Sequence, residues 1–90
     1  MELVKLNEVY TITDNLEKGW RTQGQVVKEV EGNIRINFYT NNEDKYVGSY
    51  NYDVLVNNEV RINIASEKGL EDEYTDYCQT LLNEVLKVVK

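Results

Sequence analysis

The chain predicts an α+β fold: an antiparallel β-meander of about five strands with one C-terminal amphipathic helix packed across one face. Three observations carry this reading. Gly32-Asn33-Ile34-Arg35-Ile36-Asn37-Phe38 is nearly repeated as Asn58-Glu59-Val60-Arg61-Ile62-Asn63-Ile64, and each copy follows another strand-like run. Apolar and polar residues alternate within these runs, which is the period of a strand with one buried face. Beyond them the period lengthens. Leu70, Tyr74, Tyr77, Cys78, Leu81, Leu82, Val85, Leu86 and Val89 recur at helical spacings, as a stripe wide enough to cover a sheet. A sheet wet on one face and covered on the other explains the clean alternation.

The elements follow in order. Val9-Tyr10-Thr11-Ile12 is β-rich and opens the sheet, and the preceding residues either extend that strand or lie loose. Asp14-Asn15 breaks it, and Leu16-Glu17-Lys18-Gly19 reads as a loop. Trp20 to Val30 is a second strand containing Gly24, a residue that marks a bulge or a close backbone approach. Glu31-Gly32 signals a hairpin; a three-residue loop there buries Val26 and Val30 and also turns Lys28 inward. Ile34, Ile36 and Phe38 define one face of the third strand, and Asn41-Asn42-Glu43-Asp44 the next turn. Lys45 to Val56 is a fourth strand on which Tyr46, Tyr50, Tyr52, Val54 and Val56 share parity.

The last hairpin can be registered on paper. A two-residue Asn57-Asn58 turn would set Asp53 against Ile62. A three-residue Asn57-Asn58-Glu59 loop instead pairs Val54 with Ile62 and Tyr52 with Ile64, keeping one face apolar. Asn tolerates the left-handed conformation such loops need. Ser66 is the expected N-cap of a helix over about 67–89, with the strands within about 8–65 and residues 1–90 forming one domain.

Composition narrows the chemistry. The 90 residues carry sixteen acidic and ten basic side chains, a net charge of −6 that disfavours direct nucleic-acid binding. Glu67, Glu71, Asp72, Glu73 and Asp76 concentrate the negative charge at the helix start, where the helix dipole welcomes it; Lys87 and Lys90 complement the other end. No run approaches a membrane span, and Met1 to Leu6 lacks the apolar core of a signal peptide. With a single cysteine as well, a cytoplasmic protein is expected. The Lys, Asn, Ile and Glu bias resembles coding from an AT-rich genome, as in many low-GC bacteria and their phages.

The chain has no histidine, which removes the commonest general base, nucleophile activator and zinc ligand. Cys78 sits on the apolar helix stripe and reads as packing. Glu73 with Asp76, or Asp72 with Asp76, share a helix face but have no cleft to desolvate either carboxyl. Asp14 to Gly19 opens like a calcium loop, yet Leu16 and Lys18 stand where oxygen ligands belong and Gln25 where a bidentate Glu is needed. No Gly-rich phosphate cradle is present. No enzyme, cofactor or metal is expected.

Surface remains. Arg35, Asn37 and Tyr39 on the third strand fall on the outer face, as do Val47, Ser49, Asn51, Asp53 and Leu55 on the fourth and Arg61 and Asn63 on the fifth. Arg, Asn and Tyr suit protein contacts. The expected function is therefore a small acidic protein-interaction module, an inhibitor or accessory protein from a phage or mobile element. Its candidate contacts are Arg35, Asn37, Tyr39, Asn51, Arg61 and Asn63, with Glu71, Asp72, Glu73 and Asp76 beside them as a mimic of phosphate charge. An alternative follows from Val9-Tyr10-Thr11-Ile12, Trp20, Gly24-Gln25-Val26-Val27 and the run from Gly32 to Phe38. These residues, under half of the chain, resemble the opening of SH3-like and Tudor-like barrels. That resemblance implies an aromatic ligand pocket of Trp20, Tyr39 and Tyr46. A further alternative is a self-associating domain, a homodimer formed by edge pairing or by stacking of the Tyr-bearing face.

Overall fold

A computed structural model describes residues 7–16 and 19–89. Five strands, β1 (Glu8–Asn15), β2 (Trp20–Lys28), β3 (Ile34–Asn42), β4 (Lys45–Val54) and β5 (Val60–Ser66), precede one helix, α1 (Glu71–Val89). The strands pair antiparallel in chain order, β1-β2-β3-β4-β5, as one open sheet. The expected meander and helix are thus present. The expectations for residues 1–6, for Glu17 and Lys18, and for Lys90 lie outside the described residues.

Three of the four turns share one construction. Leu16 N–H donates to the Trp20 carbonyl and Gly19 N–H to Leu16; Glu29 with Asn33 and Gly32, and Leu55 with Glu59 and Asn58, do the same, all at 2.8–2.9 Å. In each, the residue before the closing pair is left-handed: Gly19 at φ 98°, Gly32 at 108° and Asn58 at 67°. Between β2 and β3 and between β4 and β5 this is the three-residue hairpin in which a turn is followed by a left-handed bulge residue. The near-repeat in the sequence is therefore a repeated hairpin exit, with Gly32 and Asn58 in equivalent positions.

The last hairpin has the expected loop length and face, but its loop is Val56-Asn57-Asn58. The pairs are Val54 with Val60, Tyr52 with Ile62 and Tyr50 with Ile64, two positions from the expected register. Parity alone does not distinguish registers that differ by two. Left-handed Asn58 does, because the bulge residue must directly precede the closing residue. In the β2–β3 hairpin Val26 is buried as expected, whereas Val30 sits in the turn and is exposed. Lys28 stays at the rim, 3.8 Å from Glu8. The β3–β4 turn is only Glu43-Asp44; Asn41 and Asn42 belong to β3.

Local geometry adds one further difference and decides between the two alternatives for Gly24. A bulge opposite Thr40 and Asn41 inserts one residue into β4: Gly48 pairs with Thr40 and Tyr46 with Asn41. Val47 therefore turns into the core and Tyr46 onto the outer face, the reverse of their expected sides. Gly24 marks no bulge. It is a close approach, because a Cβ there would collide with the Asn37 carbonyl and the Phe38 Cα of the neighbouring strand.

Ser66 does not cap the helix. It ends β5, and the chain crosses to α1 through left-handed Gly69, with Leu70 accepting the first helical hydrogen bond from Tyr74. The Glu71 carboxylate takes the Gly69 N–H at 2.9 Å. The helix packs Tyr74, Cys78, Leu81, Leu82 and Val89 on Ile12, Trp20, Val26, Ile36, Phe38, Val47 and Tyr50. The buried core thus lies over β1 to β4, and no residue of β5 belongs to it.

Candidate protein-binding face

The strand pairing writes the outer face as rows. Arg35, Asp53 and Arg61 lie directly opposite one another across β3, β4 and β5; the next row is Gln25, Asn37, Asn51 and Asn63. Beyond it, Tyr39 pairs with Ser49. Six of these side chains, Arg35, Asn37, Asn51, Asp53, Arg61 and Asn63, line with Ile62 a shallow depression of about 350 Å³.

Both arginines of this depression are engaged by carboxylates in or beside it. Arg35 Nε donates to Glu29 Oε1 at 2.6 Å and Arg35 Nη1 stands 3.7 Å from Asp53; Arg61 Nε is 3.6 Å from Glu59. The hydrogen bond from Arg35 holds the Glu29 carboxyl below its ordinary range, and the Arg35 guanidinium is in turn raised. The amides are not spent. Among the described residues, Asn37, Asn51 and Asn63 make no side-chain hydrogen bond. Three adjacent amides thus present donors and acceptors to whatever approaches.

The sequence-derived contacts divide between two surfaces. Arg35, Asn37, Tyr39, Asn51, Arg61 and Asn63 come together on the outer face. Glu71, Asp72, Glu73 and Asp76 are exposed on a helix that packs against the opposite face, so one flat partner cannot cover both sets. Glu71 also acts locally. Backbone N–H groups of Glu71 and Gly69 hold its carboxyl below the usual range. The proposed aromatic pocket does not assemble. Tyr39 donates to Gln23 and Tyr46 to Ser49 on the outer face, whereas Trp20, 3% exposed, packs on Tyr74 and Tyr77 under the helix. The sheet is open, with β1 and β5 at opposite edges rather than closed as a barrel.

One polar feature went unread in the sequence. Asp14 accepts from Tyr77 Oη at 2.8 Å, Tyr77 Oη contacts Thr22 at 2.6 Å, Thr22 contacts Thr40 at 2.8 Å, and Thr40 contacts Tyr74 Oη at 3.1 Å. The chain runs from a half-buried carboxylate to a fully buried phenol. It leaves no buried side-chain nitrogen or oxygen unsatisfied among the described residues. Its signal was present: two phenols on a core-facing stripe need partners, and two strand threonines share the core parity. Burial raises both phenols and pushes the Cys78 thiol up to about 11, so these groups stay protonated and inert near neutral pH.

Among the described residues no cluster of His, Cys, Asp and Glu could hold a metal ion, and no helix is long and apolar enough to cross a membrane. Comparison with protein-family models, curated proteins and solved structures finds no significant match to this chain. The class is defined by the architecture itself: an open five-stranded antiparallel sheet with one covering helix and one polar face.

Proposed function

We propose that this chain is a non-enzymatic protein-interaction module that engages a protein partner through the outer face of its sheet. The observation that supports this is the row Asn37-Asn51-Asn63, three neighbouring amides with unspent hydrogen-bonding capacity inside a depression. Peptide amides and neutral polar side chains are the natural complement of such a row. A phosphate backbone is not, since Arg35 and Arg61 each already face carboxylates. The missing histidine and the raised, buried Cys78, Tyr74 and Tyr77 favour binding over catalysis. A role as an inhibitor or accessory subunit fits, and the single buried thiol is at home in the cytoplasm.

The test is capture of a partner from native lysate by wild type beside two variants, one carrying Tyr39→Ala with Arg61→Ala and one carrying Asn51→Lys. A protein held by wild type and lost by both variants supports the outer face. A protein held equally by all three, but lost on Asp72→Lys with Asp76→Lys, moves the contact to the helix start and overturns this reading.

A further inference from the structure

The covered core stops short of β5. Val60, Ile62 and Ile64 all point to the helix side, yet they are 45%, 61% and 38% exposed, with Val56 exposed beside them. β5 is also a sheet edge, with no described strand beyond it. Its backbone parity follows from the hairpin. Leu55 N–H bonds the Glu59 carbonyl, so the hydrogen-bonded pairs continue as Asp53 with Arg61 and Asn51 with Asn63. The N–H and C=O groups of Val60, Ile62 and Ile64 therefore point outward. The same three residues carry both the unpaired backbone groups and the uncovered apolar side chains.

Only an extended strand satisfies both needs at once, and its outward-bonding residues must be apolar and share the helix side. β1 of another copy does not qualify. Leu16 N–H bonds the Trp20 carbonyl, which turns the free groups of β1 onto Val9, Thr11, Thr13 and Asn15, and these side chains lie on the outer face. Pairing β5 with β1 would set Ile62 among threonines and put the two helices on opposite sides. β5 itself qualifies. About a two-fold axis through Ile62, Ile62 meets Ile62, Val60 meets Ile64, and Arg61 meets Asn63. Centring on Arg61 would oppose two like charges; centring on Asn63 would face Val60 with Ser66. Natural edges are blunted by proline or inward charge. The chain has no proline, and the helix-side positions Val60, Ile62 and Ile64 carry no charge.

We infer that two copies of this chain pair antiparallel through β5 about Ile62, joining their sheets into one of ten strands with both helices on the same side. The inference rests on the edge and not on the partner proposed for the outer face. The pair would nonetheless place each polar depression beside its symmetry mate, with Asn63 of one copy next to Arg61 of the other.

Cross-linking reads the register directly. Opposed residues in a non-hydrogen-bonded pair have Cα atoms about 4.5 Å apart, within disulfide range. Arg61→Cys and Asn63→Cys variants, one carrying a size tag, are oxidised singly and mixed; buried Cys78 stays out of the reaction. Rapid cross-linking in the mixture only is the expected result. Cross-linking of Asn63→Cys alone or of Arg61→Cys alone overturns the Ile62 axis. Equal, slow cross-linking in every sample overturns strand pairing altogether. In sedimentation equilibrium the wild type should reach twice the 10.5 kDa of one chain. Ile62→Lys should weaken self-association by about a hundredfold or more, since like charges meet at the axis. Its circular dichroism should not change, because Ile62 supports no core packing. A monomeric wild type at high concentration, or growth beyond the dimer, overturns the inference.

Discussion

Two strands of this sheet carry almost the same short run and do opposite things. Ile34-Arg35-Ile36-Asn37 on β3 and Val60-Arg61-Ile62-Asn63 on β5 follow the same hairpin exit and alternate in the same phase. Ile36 is 0% exposed and Ile62 is 61% exposed. The difference is the helix. After Leu70, α1 leaves the β5 side and packs toward β1, where Leu81 and Val89 line with Ile12 and Val26 a groove of about 260 Å³ at the rim. An apolar strand position is thus a core residue only where the covering layer reaches it. Where it does not, the same position becomes a sticky edge.

The largest effect that would test this contrast is the paired truncation. Ile36→Ala should cost about 2–5 kcal/mol, the range for a buried isoleucine that leaves a cavity. Ile62→Ala, in the matching position, should stay within about 0.5 kcal/mol when unfolded by urea at concentrations low enough for the monomer. Comparable losses at both sites would mean that β5 is covered in solution and would break the comparison.

Next in size is the hydroxyl chain that fixes the helix on β2 and β3. Thr40→Val keeps the shape but takes from the Tyr74 phenol its hydroxyl partner and leaves Thr22 bonded to Tyr77 alone. About 1–3 kcal/mol should be lost in thermal or urea unfolding. Thr13→Val, on the exposed outer face of β1, should be nearly silent. A silent Thr40→Val would show that packing alone seats the helix.

The same half of the molecule should control the response to alkali. Tyr50, Tyr74, Tyr77 and Cys78 all have folded-state values raised chiefly by burial. A raised value means that the folded state holds its proton more tightly than the unfolded chain. That contribution is intact below the unfolded values. It declines from about pH 9, where the Cys78 thiol ionises when unfolded, and is lost as pH rises through the folded values, about 11 for Cys78. Melting temperatures should fall across this range, and the buried tyrosines should ionise only together with unfolding. Gradual tyrosinate absorption in a still-folded protein would contradict the packing under α1.

The smallest effect is at acid pH. Glu29 and Glu71 are held low, by Arg35 and by backbone N–H groups respectively. Their contribution is present above the ordinary carboxylate range and is lost as pH falls through it. Glu71→Gln should flatten the acid limb of a stability profile, and an unchanged limb would show that the Gly69 and Glu71 N–H groups do not hold the carboxylate.

Much of the fold was legible because it depends on local periodicity. Two-residue alternation identified the strands, three- and four-residue spacing the helix, and left-handed-tolerant Gly and Asn the hairpins. The outer-face set Arg35, Asn37, Tyr39, Asn51, Arg61 and Asn63 followed from parity alone. Where parity broke, so did the reading. The bulge at Val47 reversed Tyr46, and no periodic rule announces an inserted residue whose cost is repaid by packing elsewhere. Ser66 looked like a cap because capping chemistry is local, but the chain needed Glu67 to Leu70 to climb from the sheet edge to the helix axis.

What the sequence by itself determined, then, is which residues alternate, where the chain turns and which face of each strand is apolar. The tertiary structure alone decided which of those apolar faces is covered. A single helix of 19 residues cannot blanket five strands, and its path is set by Trp20, Tyr74 and Tyr77 and the Thr22-Thr40 hydroxyls beneath them. Burial is a property of what lies opposite a residue, and that depends on contacts distant in the chain.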